Sequence, residues 1–85
     1  MPKAVFSDAY KLVLFHLIQE RKKARVTQQE LANRLNRPQP FISQIENGAR
    51  RIDVLEFYAI AKALGTDPAW LFTQIAKELP DDIEV

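Results

Sequence analysis

An all-α fold, a compact bundle of five helices, is what these 85 residues predict, and three observations carry that expectation. Apolar side chains recur three and four positions apart along most of the chain. Glycine and proline sit only at plausible element boundaries. No segment sustains the period-two alternation of a half-buried strand.

The first helix runs from a cap at Ser7 or Asp8 to about Lys23, with Tyr10, Leu14, Leu17 and Ile18 at helical spacing. Leu12, Val13 and Phe15 add apolar surface on its other sides. Thr27-Gln28-Gln29-Glu30 is a capping box, in which Thr27 caps and Glu30 reaches back to its amide. The second helix follows with Leu31, Ala32 and Leu35 inward, and ends near Asn36, a residue that tolerates left-handed angles. Arg37 and Pro38 separate it from a third helix, about Gln39 or Pro40 to Asn47, with Ile42 and Ile45 inward and Gly48 beyond its end. Asp53 opens a fourth helix through a second box-like cap with Glu56; its expected stripe is Val54, Phe57, Tyr58, Ala61 and Leu64, and Gly65 stops it. Asp67-Pro68 supplies a cap and a proline at the first position of a fifth helix carrying Trp70, Leu71, Ile75 and Leu79. Pro80 ends it, and residues 80–85 form an acidic tail.

Composition bounds the function. The chain is 47% apolar and 27% charged, which excludes wholesale disorder. The length allows one core, so residues 1–85 are expected to form a single domain. Cysteine is absent, which excludes a disulfide framework, a thiolate zinc site and a cysteine nucleophile. The single histidine, His16, lies among apolar residues with no second ligand at i+3 or i+4, so it reads as a packed histidine and no metal site is expected. No nucleophile or paired-carboxylate constellation is present and neither glycine lies in a phosphate loop, so neither an enzyme nor a cofactor is expected. The longest mostly apolar stretch, Ala9 to Ile18, is too short for a bilayer, and the N-terminus lacks a signal-peptide layout. The expectation is a cytoplasmic chain with no membrane partner.

Net charge is only +1, but it is unevenly spread. Residues 1–51 hold ten basic and four acidic side chains, a net of +6, whereas residues 52–85 hold two and seven, a net of −5. Such asymmetry points to a polyanion partner for the first part or, equally, to a solvated basic face.

Two short helices with a tight turn, at about residues 27–48, fit either a helix-turn-helix or a generic helical hairpin. Ala32 is small where the two helices cross, and Ile42 and Ile45 anchor the third helix on the second. The stretch Thr27–Trp70 then resembles the phage-repressor-like (XRE, or Cro-repressor type) helix-turn-helix regulators. The likeness is carried by Thr-Gln-x-x-Leu-Ala at 27–32, Gln39, Ile-Ser at 42–43, Glu-Asn-Gly at 46–48 and Ile-Ala-x-Ala-Leu-Gly at 60–65.

The resemblance implies a lambda-repressor-like DNA-binding domain whose third helix enters the major groove. It implies base contacts from Gln39, Pro40, Ser43 and Gln44, a glutamine being able to donate and accept at once on an adenine edge. It implies phosphate contacts from Gln28, Arg37, Asn47, Arg50 and Arg51, which set affinity and salt sensitivity rather than sequence preference. Arg21 and Glu46 match a pair that is internal to the domain in the family. Lys22, Lys23 and Arg25 are read as a solvated helix end that attracts DNA at long range. Three departures stand out: Asn36 replaces a common glycine, Pro38 replaces the usual Ser or Thr cap, and Pro40 disfavours helical angles at Gln39. The last predicts a third helix that begins one residue late, with Gln39 as its cap.

The expected function is that of a homodimeric, sequence-specific regulator, a repressor that binds a palindromic double-stranded operator. Apolar residues beyond the needs of a small core (Phe6, Leu12, Phe15, Leu55, Phe72 and Leu79) either line a dimer seam around helix five or cap the core from outside. The alternative is an antitoxin-like module that holds a toxin and binds DNA for autoregulation.

Overall fold

The computed structural model describes residues 8–83, which form five α-helices and, among them, no strand. These are α1 (Asp8–Lys23), α2 (Gln28–Arg34), α3 (Gln39–Glu46), α4 (Val54–Ala63) and α5 (Pro68–Glu78). Ser7 and Phe6, expected as a cap and as surplus apolar surface, lie outside the described residues.

Helices α2, α4 and α5 start where the sequence provides a side-chain partner for the free amides of the first turn. Thr27 Oγ1 accepts from Glu30 N at 3.0 Å, and Thr27 N donates to Glu30 Oε1 at 2.8 Å. Asp53 and Glu56 repeat the arrangement at 2.7 and 3.0 Å. Asp67 caps α5 by accepting from Ala69 N, with Pro68 inside the start. The bond from the Thr27 amide holds the Glu30 carboxyl below the ordinary carboxylate range.

Three helices stop in the same way. Asn36 (φ 57°) ends α2, its own amide donating to Asn33 O while Arg37 N donates to Ala32 O. Gly65 ends α4 through the equivalent bonds from Gly65 and Thr66. Arg25 (φ 60°) ends α1 likewise, with Val26 N on Arg21 O. These are Schellman closures, and each brings the chain sharply back onto the core. The Asn36 turn is the one that sets α3 across α2.

The core is a single cluster. Leu31, Ile42, Ile45, Leu71 and Ile75 are its largest fully buried side chains, and Ala32 and Ala61 are fully buried where helices approach closely. Tyr10, Leu14 and Leu17 close it from α1; Leu35 and Leu79 pack against its edge.

The inward face of α4 differs from expectation. On α4, Val54 and Tyr58 are exposed, and Phe57, Ile60, Ala61 and Leu64 are buried. Nearly every α4 residue is apolar, so its periodicity leaves the inward face open; packing decides it, with Phe57 edge-on to Phe72 of α5 at 6.2 Å between centroids. On α5, Leu71 and Ile75 are buried and Trp70 is half-exposed beside them. Of the expected surplus apolar residues, Phe15, Leu55 and Phe72 are exposed and Leu12 is half-buried, whereas Leu79 belongs to the core edge.

His16 is largely buried, edge-on to Phe15, and its Nε2 lies 3.3 Å from Glu78 Oε1 without hydrogen-bond alignment. No helix is long and apolar enough to cross a membrane, and no group of three or more His, Cys, Asp or Glu side chains is placed to hold a metal, among the described residues.

Candidate nucleic-acid interface

The third helix is divided lengthwise. Phe41, Ile42 and Ile45 are buried, the two isoleucines almost completely. Pro40, Gln44 and Asn47 are exposed on the other side, with Ser43 half-buried between them. Positions 40, 43, 44 and 47 are spaced three and four apart, so they form one outward face. The helix begins at Gln39, with Pro38 as its N-cap residue and Pro40 in the first turn. The delayed start expected from Pro40 is therefore not found. Proline is accommodated in a first turn because the amide it lacks has no intrahelical acceptor there. No side chain caps this helix: Pro38 lacks the usual hydroxyl, and Gln39, expected as the cap, is its first residue. Ser43 Oγ donates back to Pro40 O at 3.3 Å, and Asn47 Oδ1 accepts from Ala49 N at 2.8 Å, shaping the loop that follows.

Behind this face runs a chain of four polar side chains. Arg21 of α1 donates to Glu46 of α3 through Nε at 2.7 Å and Nη2 at 2.9 Å, and through Nη1 to Val26 O at 2.9 Å. The two side chains are 13% and 11% exposed. Glu46 Oε1 also accepts from Gln28 Nε2 at 2.8 Å, and Gln28 Oε1 accepts from Gln39 Nε2 at 2.7 Å. The acceptor-only carboxylate fixes which end of each amide points where. Gln28 must turn its NH₂ to Glu46, so its oxygen faces α3, and Gln39 must offer an N–H to it. That leaves Gln39 with one N–H and its carbonyl oxygen, the donor–acceptor set that matches adenine in the major groove. The residues expected to touch phosphate (Gln28) and base (Gln39) thus touch each other, which the spacing in the sequence did not reveal.

The far side of the interface is cationic. Arg37, in the turn before α3, stacks on the Phe41 ring at 4.1 Å from its centroid and is exposed. Arg50, in the loop after α3, lies 4.9 Å from the same ring. Its guanidinium forms two parallel bonds to Glu56, Nη1 to Oε1 at 2.8 Å and Nη2 to Oε2 at 2.7 Å. This bond from Arg50 holds the Glu56 carboxyl below the ordinary range, and Glu56 in turn raises the Arg50 guanidinium further. Arg51 stacks on Tyr10 at 4.5 Å, and Tyr10 Oη accepts from Ile52 N at 3.0 Å. Phe41 was missed as a core residue and as the platform for two arginines, although its spacing of four from Ile45 places it on the buried face.

With this geometry in place, likeness to known proteins becomes informative. The helix-turn-helix family HTH_3 matches residues 17–71. An XRE-family like protein from Pseudomonas syringae pv. tomato str. DC3000 is 43% identical, with 85% of this chain and 88% of that chain covered and a TM-score of 0.81. The clp gene regulator ClgR from C. glutamicum is 20% identical, with 89% and 99% covered and a TM-score of 0.73, and shares the fold. No curated protein matches.

Proposed function

The chain belongs to the XRE-type helix-turn-helix family, and from that premise we propose that it is a DNA-binding transcription regulator, a homodimeric repressor that reads the major groove with α3. The observation that carries this reading is the division of α3. Pro40, Ser43 and Gln44 face solvent on a helix whose opposite side, Ile42 and Ile45, is fully buried. A helix seated this firmly reaches a groove without reordering, so little of the contact energy is lost to immobilising it.

In this reading Gln39 and Gln44 meet base edges, Ser43 discriminates weakly, and Pro40 presses its ring against a thymine methyl. Gln28, Arg37, Asn47 and Arg51 contact phosphates on either side. Arg50 stands with them, but its donor edge is occupied by Glu56. A dimer spaces two such helices about one helical turn, roughly 34 Å, apart on a palindromic operator. Exposed Leu55 and Tyr58 on α4 and Trp70 and Phe72 on α5 supply apolar surface for a second copy.

Selection from random duplexes followed by sequencing tests the reading. A palindromic consensus supports it; recovery of no preferred sequence contradicts it. The same exposed apolar residues favour a second reading, an antitoxin-like module that holds a toxin and represses its own operon. Co-purification of a small partner from the co-expressed operon distinguishes the two.

A further inference from the structure

Glu56 has two attachments with different consequences. As the third residue of α4 it accepts from Asp53 N at 3.0 Å, which fixes its carboxylate at the start of the helix. From that fixed position both of its oxygens engage the Arg50 guanidinium. Arg50 is held from its other end by the loop, its own N donating to Gln44 O at 3.0 Å, and its guanidinium rests near Phe41. The geometry of a carboxylate against an arginine fork is also that of a phosphate against it.

We propose that Glu56 is a built-in substitute for a DNA phosphate: it occupies the Arg50 edge that a duplex backbone would otherwise take, so that Arg37, not Arg50, brings the free charge beside Phe41, and Glu56 tempers DNA affinity. The inference rests on the reading of the chain as a DNA-binding protein. Three observations support it. The pair is bidentate with both distances under 3 Å, so the fork is fully used. The carboxylate is fixed by Asp53 N independently of Arg50, so it stays in place as a competitor at high effective concentration. The two charges cancel, and a neutral pair releases no counterion from DNA, whereas a freed arginine does. Among the described residues, Arg37 stacks on the same ring and has no carboxylate within ion-pair distance.

The test is the salt dependence of binding to a selected duplex by the wild-type protein and three variants. Glu56→Gln keeps an oxygen for the Asp53 amide and removes the charge. It should steepen the log–log salt slope by about 0.9 and tighten binding about eightfold at 0.1 M salt, as one added phosphate contact does. Asp53→Asn removes a neighbouring charge, leaves the Arg50–Glu56 pair intact, and should keep the wild-type slope. Arg50→Ala with Glu56→Gln removes the pair together and should also keep it. An unchanged slope in Glu56→Gln, an equal steepening in Asp53→Asn, or a double variant flattened by about 0.9 overturns the proposal while leaving DNA binding intact. The last result is the signature of Arg50 already bound to phosphate, and it is readable even if Glu56→Gln alone folds poorly. A wild-type protein that binds no duplex overturns the functional reading, and this inference with it.

Discussion

Arg21–Glu46 and Arg50–Glu56 are both two-bond arginine–glutamate pairs, and both attach to α3 or its flanking loop. The first lies behind the helix, its side chains 13% and 11% exposed, joined to Val26 O and Gln28. The second lies in front, at 37% and 20%, where solvent and a duplex can reach it. Behind the helix every partner is fixed, so losing one strands a desolvated charge. In front, water screens the pair, and a competing anion can exchange for one member. Identical chemistry therefore bolts the helix down in one place and regulates its charge in another, and the burial of the pair decides which.

The largest effect is expected of Glu46→Ala. It leaves Arg21 and Gln28 without their shared acceptor and should cost about 3 kcal/mol in urea unfolding. A loss near zero would place this pair in the same class as the frontal one. Next in size, Gln44→Ala should cost about 1–3 kcal/mol on the preferred duplex, relax preference at one base pair and leave the urea midpoint unchanged. Equal losses on every duplex would remove Gln44 from base recognition. Smaller again, replacing Arg50 and Glu56 together by Ala and Gln should leave the urea midpoint close to wild type, because neither residue is stranded.

The smallest effect is the pH dependence. The Arg50 bond lowers the Glu56 carboxyl, and the Thr27 amide lowers that of Glu30. A carboxyl lowered on folding stabilises the protein above its unfolded value and loses that contribution as pH falls through its folded value. The urea midpoint should therefore hold steady down to the ordinary glutamate range, about pH 4.3, and decline below it, less steeply in Glu56→Gln. A midpoint that declined equally in both proteins would show the frontal pair to be energetically silent.

The contrast between the pairs also shows what the sequence can carry. Helix starts were legible because Thr27, Asp53 and Asp67 are caps at fixed offsets from Glu30, Glu56 and Pro68. The turn at Asn36 was legible because few residues accept its angles. Arg25 adopts the same conformation with no such signal, imposed by the return of Val26 to the core. The face of α4 was illegible because an almost wholly apolar helix has no preferred side until Phe57 meets Phe72. Pro40 announced a shifted start, but a first turn tolerates proline. The rear pair was anticipated from family likeness. The frontal pair was not, since Glu56 reads first as a capping residue and Arg50 as a phosphate contact. Only the folded loop brings them together.

Whether the outer face of α3 meets the duplex is tested directly by NMR titration of the labelled protein with a selected duplex. The largest shifts should fall on the side chains of Gln39 and Gln44 and the backbone amides within residues 40–47, with the buried Ile42 and Ile45 methyls little moved. Shifts confined to α4 and α5, with α3 silent, would contradict that contact.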